Sequence, residues 1–94
     1  MSRTLAHLRN IGPETARRLV ALGIADEAAL RRVGAVEAYR RLKAADPRHT
    51  SLNALWALAG ALLPLPWTRL PADLKETLRA EAMAEHRPVG YPEP

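Results

Sequence analysis

One turn near the start of the sequence has the residue types that could bind a phosphate group. Gly12 precedes Pro13, and proline is favoured at the first position of an α-helix, where its missing N–H costs nothing. The backbone N–H groups of such a turn lack helical partners and lie beside the positive end of the helix dipole, which suits an anion. Nearby arginines would add contacts to the phosphates of a nucleic acid without reading its sequence. The candidate phosphate- or DNA-binding residues are Arg9, Asn10, Ile11, Gly12, Arg17 and Arg18.

This turn belongs to a motif that is present twice. Residues 8–16 and 30–38 both have Leu, Arg, any residue, a β-branched aliphatic, Gly and, four residues later, Ala. The pattern is the outline of a helix-hairpin-helix, a unit often used to bind nucleic-acid backbone. DNA-binding hairpins commonly begin the turn with a further glycine, and that position holds Asn10 in one copy and Arg32 in the other. Because asparagine tolerates left-handed backbone better than arginine, the first copy is the better phosphate site, and the second is interpreted as its structural partner.

A purely structural role for both motifs is the alternative that the sequence leaves open. The two glycines could simply allow close helix packing, with Ile11 and Val33 filling the core beneath each turn. The charge distribution favours a phosphate-bearing partner, because residues 1–50 carry ten Lys and Arg against five Asp and Glu, whereas residues 51–94 carry four against five. Arginine is also a strong helix former, so the same bias is compatible with a helical chain that binds no nucleic acid.

The elements that position these motifs are predicted to be helical throughout. Ala and Leu dominate the hydrophobic residues, β-branched aliphatics are scarce and Phe is absent, which favours helix over sheet. The fold prediction is all-α: a compact bundle of five or six short helices with two tandem helix-hairpin-helix-like repeats. Asp26 and either Thr50 or Ser51 are predicted helix caps, and Gly23 is a predicted left-handed helix end. The predicted helices cover about residues 3–8, 13–22, 27–32, 35–45, 52–63 and 71–85, with 63–67 as an extended connector.

The sequence carries no sign of catalysis or of a bound cofactor. Cysteine is absent, which excludes disulfides and thiolate metal sites. The three histidines, His7, His49 and His86, lack metal-ligand spacing and are expected to be solvated. No Ser or His lies in a recognisable nucleophile setting. The longest apolar stretch, over 54–65, is too short to span a membrane. We therefore expect a soluble, cytoplasmic, non-enzymatic protein with no catalytic, cofactor or metal residues and no membrane partner.

The order of several short segments along the chain is specific in combination. They lie at residues 8–13, 16–19, 23–24, 30, 33–36, 38–43, 51–58, 60–61 and 67. Together they resemble the C-terminal domain of the TfoX (Sxy) competence regulators of bacteria, over roughly residues 3–82. The resemblance implies a helical domain with helix-hairpin-helix character. In longer family members this domain follows a separate N-terminal domain, and the whole protein promotes expression of DNA-uptake genes alongside a cyclic-AMP-responsive activator.

The resemblance carries no settled catalytic or ligand residues, so it implies fold more than function. We expect a stand-alone TfoX C-terminal-like domain over residues 1–86 and a proline-rich tail over 87–94. The leading hypothesis is a non-enzymatic binding module in transcriptional regulation or DNA-associated processes, acting through contacts to a regulatory protein or weak, non-specific DNA contacts. The alternative is a protein-interaction or homo-oligomerisation module that binds no nucleic acid, which an exposed Leu or Trp on the helix predicted over 52–63 or in the 63–67 connector would favour. The sequence predicts no oligomeric state.

Overall fold

Five α-helices and three short 3₁₀ turns make up the part of the chain that the structure describes. The computed structural model describes residues 4–84. Between those residues there is no strand, only an isolated bridge between Thr4 and Asp26. The all-α prediction is therefore confirmed. The helices are α1 (Pro13–Ala21), α2 (Glu27–Val33), α3 (Ala35–Ala45), α4 (Leu52–Leu62) and α5 (Ala72–Met83), and the 3₁₀ turns are Leu5–His7, Pro47–His49 and Trp67–Arg69.

Helix α3 lies at the centre of the bundle and packs against α1, α2, α4 and α5. Apolar residues recur on one face of each helix at helical spacing, and these faces meet in a single core. Helix α5 has no fully buried residue and covers the bundle through half-buried side chains such as Leu78 and Ala82. The core therefore depends chiefly on α1 to α4 and the segments between them. The largest fully buried side chains are Leu19, Ile24, Leu30, Leu42, Leu55 and Leu58.

Two predicted helix ends are confirmed in atomic detail. Gly23 adopts a left-handed φ of 86°, and Ile24 N–H donates to the Leu19 carbonyl at 2.9 Å, which satisfies a carbonyl at the end of α1. The Ile24 side chain is fully buried, so this hydrogen-bonded end also anchors the chain in the core. Asp26 accepts a hydrogen bond from the Ala29 N–H at 2.9 Å and caps α2. The link between α1 and α2 is therefore set by local residue chemistry.

Three other local predictions need correction. The helix expected over about residues 3–8 is a 3₁₀ turn, Leu5–His7, within the described residues. The connector is not extended, because it turns back on α4, and the Leu65 N–H donates to the Gly60 carbonyl at 2.8 Å. Neither Thr50 nor Ser51 caps α4 with its side chain. The predicted tail over 87–94 and the domain end at 86 lie outside the described residues.

The two copies of the repeated motif differ in backbone conformation. In the first copy the left-handed residue is Asn10, with φ of 72°, and Gly12 is extended with φ of −85°. In the second copy Gly34 itself has φ of 85°, and it separates two α-helices directly. A 3₁₀ turn, rather than an α-helix, precedes the first copy. The repeat of two equivalent helix-hairpin-helix units is therefore not confirmed, because the same residue pattern forms two different corners.

Candidate functional site

Asn10 links the candidate phosphate-binding turn at residues 9–12 to α4 and to the connector that follows α4. The Asn10 side-chain amide donates to the Leu65 carbonyl at 2.9 Å and lies 3.5 Å from the Ala57 carbonyl. The backbone of Asn10 is left-handed, a conformation that asparagine tolerates, and in this conformation its side-chain amide reaches the two carbonyls. The residue thus joins the start of the chain to the connector.

Ile11 and Gly12, the other two residues of the turn, have roles in the fold. The Ile11 side chain is buried, and its N–H donates to the Leu8 carbonyl at 3.2 Å. Gly12 precedes α1 as its N-cap, in extended backbone that any residue adopts. Ile11 therefore belongs to the core, as expected for the residue beneath the turn, and its N–H already has a partner.

Arg17 forms an ion pair within its own helix, α1. Its guanidinium pairs with Glu14, three residues earlier, and both side chains are largely exposed. Glu14 lies in the first turn of α1, where a carboxylate is stabilised by the positive end of the helix dipole. The same carboxylate lowers the attraction of this helix end for a phosphate, because it places a negative charge beside the turn.

Arg18, the next residue, contacts polar groups at the C-terminal end of α3 and in the turn before α4. Its guanidinium donates to the Thr50 hydroxyl, and the Leu42 and His49 carbonyls lie 3.5 Å away. The Thr50 side chain is buried and donates to the Asp46 carbonyl at 2.8 Å. Arg18 and Thr50 therefore add side-chain donors to the carbonyls at the C-terminal end of α3, which also accept backbone N–H groups.

The six predicted residues do not converge on one surface. Arg18 contacts Thr50, just before α4 begins, whereas Asn10 contacts Leu65, just after α4 ends. Helix α4 has 11 residues, which corresponds to a length of about 16 Å at 1.5 Å per residue. Arg9 and Asn10 are together at the connector, and Arg18 is held at the opposite end of α4.

Basic side chains at helix C-termini are a feature that the sequence analysis missed. Arg40 on α3 donates to the Ala84 carbonyl at 3.2 Å and to the Glu81 carbonyl, and so caps α5. Lys43 donates to the Thr50 carbonyl at 2.8 Å, after the end of its own helix. Cations at these ends also interact favourably with the helix dipole. Only Lys43, in the last turn of α3, has a signal in the sequence, because Arg40 acts across a helix interface.

The turn between α3 and α4 contains an exposed hydrogen bond between His49 and Asp46. His49 Nδ1 lies 2.9 Å from the Asp46 carboxylate. The hydrogen bond from His49 lowers the pKa of Asp46, and the positive charges of His49 and Arg18 add to this effect, while burial opposes it. Because the pKa of Asp46 is lowered in the folded state, its ionised carboxylate stabilises this turn at pH values above its titration range. This contribution to the free energy of unfolding is lost as the pH falls through the lowered pKa.

Two exposed leucines lie close together in the sequence at the connector. Leu63 is 47% exposed and Leu65 is 36% exposed. The Leu65 backbone is nevertheless bonded at both ends, through its N–H to Gly60 and through its carbonyl to Asn10. A groove of about 370 Å³ adjoins this turn. The term connector face is used below for two sets of residues. They are the residues that line the groove, His7, Leu8, Arg9, Ala61 and Pro64, and the two exposed leucines beside Pro64, Leu63 and Leu65.

Over residues 1–82 the sequence matches the family described as the TfoX C-terminal domain. The chain belongs to the TfoX C-terminal domain family. Two crystal structures of proteins from Listeria monocytogenes, one uncharacterized and one of unknown function, are similar to this family member. One, in a triclinic form, has a TM-score of 0.76 and 32% identity, covering 81% of this chain and 85% of that chain. The other, in a tetragonal form, has a TM-score of 0.76 and 31% identity, covering 82% and 94%. No curated protein matches the chain.

Two further properties of this TfoX C-terminal domain bear on its function. Within residues 4–84 no three His, Asp or Glu side chains are grouped so as to hold a metal ion. None of the helices in that range has both the length and the apolar character needed to cross a membrane.

Replacing Asn10 with glycine tests how this TfoX C-terminal domain holds its connector. Glycine keeps the left-handed backbone, so the variant removes chiefly the hydrogen bond to Leu65. We expect the free energy of unfolding to fall by about 0.5–1.5 kcal/mol, and the Leu65 amide to exchange faster with solvent. Urea denaturation and amide hydrogen exchange measure the two effects. Unchanged exchange at Leu65 would contradict the tethering role of Asn10.

Proposed function

We propose that this domain is a non-enzymatic protein-binding module that acts in transcriptional regulation or DNA-associated processes, with the connector face as its binding surface. One observation supports the proposal above the others. Leu63 and Leu65 are exposed on a turn whose backbone is held by Gly60 and Asn10. Membership of the TfoX C-terminal domain family supports the regulatory setting.

The physical basis of the proposal is the combination of exposed apolar side chains and a restrained backbone. Apolar side chains that water can reach lower the free energy when a partner covers them, by about 25 cal/mol per Å² of apolar surface. A flexible loop would lose much of this gain, because ordering it on binding costs conformational entropy. The hydrogen bonds of Leu65 reduce that cost in advance, so the connector face is suited to a protein partner.

The distribution of basic residues supports a protein partner over DNA. Arg18, Arg40 and Lys43 donate to groups at helix ends, and Arg17 pairs with Glu14. Many of the basic side chains in residues 1–50 are therefore already bonded to groups of the domain itself. DNA binding of useful strength usually needs several phosphate contacts made together, and the predicted cluster of Arg9, Asn10 and Arg18 is divided between the two ends of α4.

A photo-crosslinking experiment tests the proposed surface. A photoreactive amino acid is placed at position 65 of the full chain, in cells that naturally express it, and at position 20 as a matched control. Val20 is 52% exposed but lies on α1 and does not line the groove. We expect a partner protein to be crosslinked at position 65 and not at position 20. Mass spectrometry then identifies the partner, which is purified for binding measurements.

The binding measurement compares matched variants of the full chain. We expect Leu63→Ser/Leu65→Ser to weaken binding of the purified partner at least about tenfold, since burying one leucine contributes on the order of 1.5 kcal/mol. Val20→Ser is expected to bind normally, and circular dichroism verifies that both variants fold. Equal affinity for the double variant would refute the proposal. Crosslinking only to a second copy would indicate self-association, and duplex binding that falls steeply with salt would replace the proposal with the DNA-binding alternative.

A further inference from the structure

The groove of the connector face has a distinct chemical lining. Leu8, Ala61 and Pro64 supply apolar surface, and His7 and Arg9 are the polar residues of the described chain that line it. No carboxylate is among the lining residues within the described part of the chain. Leu8 and Ala61 are buried and form the apolar base of the groove, whereas the exposed His7 and Arg9 form its rim, where the charge of Arg9 would distinguish between partners.

Arg9 differs from most arginines of the domain in its electrostatic surroundings. It is exposed, and no residue between 4 and 84 forms a hydrogen bond or ion pair with it. By contrast, Arg31 pairs with Glu27 at 2.9 Å while approaching the Leu62 carbonyl at the end of α4. Among the described residues no carboxylate therefore pairs with the positive charge at the rim of the groove, and an acidic group on a partner would complement it.

The size of the groove limits what it can accept. Its volume of about 370 Å³ lies near the lower end of the range of about 300–1,000 Å³ for ligand pockets. Leu63 and Leu65 flank Pro64 in the chain and extend the apolar surface beyond the groove itself. The groove has room for one or two apolar side chains of a partner, and the neighbouring part of the partner segment would contact the two exposed leucines.

From these observations we infer that the connector face binds an acidic, leucine-bearing amphipathic segment of a partner protein, with a leucine-type side chain in the groove and a carboxylate beside Arg9. The inference rests on the proposed protein-binding function and specifies the chemistry of the partner. Helix-in-groove recognition uses apolar anchors at helical spacing and gains specificity from flanking charges. In this arrangement the leucines supply affinity, while Arg9 discriminates against basic segments.

The test uses the full chain, labelled with ¹⁵N, and synthetic peptides. The acidic probe is a helical peptide of about four turns with leucines at helical spacing and glutamates elsewhere. A second peptide has lysine at each glutamate position, and a third has serine at each leucine position. We expect the acidic probe to shift the amide signals of residues 7–9 and 61–65. The lysine peptide is expected to bind at least about fivefold more weakly at low salt, and this difference should shrink as salt is added.

Charge reversal in the protein provides the matched comparison. Arg9→Glu is expected to weaken binding of the acidic probe by about fivefold. Arg48→Glu is the control, because Arg48 is exposed in the 3₁₀ turn before α4, at the opposite end of that helix. Equal binding of the glutamate and lysine peptides, no effect of Arg9→Glu, or no binding of either peptide would overturn the inference.

The outcome can be separated from that of the proposed function. If the purified partner is crosslinked at position 65 and depends on Leu63 and Leu65 but is insensitive to Arg9→Glu, the proposed function stands and the acidic partner segment is rejected. If no partner is crosslinked at position 65, the proposed function itself fails. If the serine peptide binds as well as the leucine peptide, the groove accepts charge without an apolar anchor, which also rejects the inference.

Discussion

Alanine at position 34 is expected to lower the free energy of unfolding by about 1–3 kcal/mol, which is the usual cost of holding a non-glycine residue in a glycine-only region of backbone space. Gly34 has φ of 85° and ψ of 159°, and it joins α2 to α3 without an intervening loop. An added Cβ would have no heavy atom within 4 Å, so the expected cost comes from the backbone conformation and not from a clash. Urea denaturation of the purified domain measures it.

Gly12→Ala is the matched control, because the repeated motif places the two glycines in equivalent positions. Gly12 has φ of −85°, and a Cβ there would also have no heavy atom within 4 Å. Alanine is a poorer N-cap than glycine, but it reduces the entropy of the unfolded chain, so we expect a net change below about 0.5 kcal/mol. Equal losses at the two positions would contradict the structural difference between the two copies.

Arg18→Met is the second substitution with a large expected effect, a loss of about 1.5–3 kcal/mol in the free energy of unfolding. This is the range for hydrogen bonds that involve a charged group. The variant removes the donor to Thr50 and leaves the carbonyl of Leu42 with one partner fewer, while methionine retains much of the aliphatic volume. In a domain of this size, each kcal/mol lowers the melting temperature by about 4–8 °C. Thermal unfolding followed by circular dichroism detects such a shift.

The neighbouring Arg17 supplies the control for Arg18. Its ion pair with Glu14 lies on the surface, with side chains 74% and 73% exposed. Exposed pairs of this kind contribute little, so Arg17→Met is expected to change the free energy of unfolding by less than about 0.5 kcal/mol. If the two variants lose the same stability, Arg18 does not hold the end of α3. The expected difference also means that charge reversal at Arg18 is unsuitable for testing DNA binding, because it would disturb the fold.

Local residue chemistry determined much of the fold. The span predicted for α3, the left-handed end at Gly23 and the cap at Asp26 agree with the structure. Each depends on groups within a few residues of one another, such as a side-chain oxygen and an N–H three residues later. The helical faces likewise followed from apolar spacing, because a helix must bury its apolar stripe against another element.

The tertiary structure alone decided what the repeated motif does. Gly12 and Gly34 occupy the same place in the pattern, but only Gly34 requires glycine, because the segments before the two turns differ. In the same way Arg17 and Arg18 are adjacent in sequence, and the partner of Arg18, Thr50, is 32 positions away. Such long-range partners have no local sequence signal.

The amino-acid sequence by itself therefore determined that the chain is helical, since caps, glycine ends and apolar spacing act over short distances along the chain. The order of its short segments, and not those local rules, carried the resemblance to the TfoX C-terminal domain family. Only the packing of the helices decided that Asn10 holds the connector and that Leu63 and Leu65 remain exposed. The reason is physical: a polar side chain binds whichever unpaired group the fold brings within reach, and for Asn10 that group is a carbonyl 55 positions away.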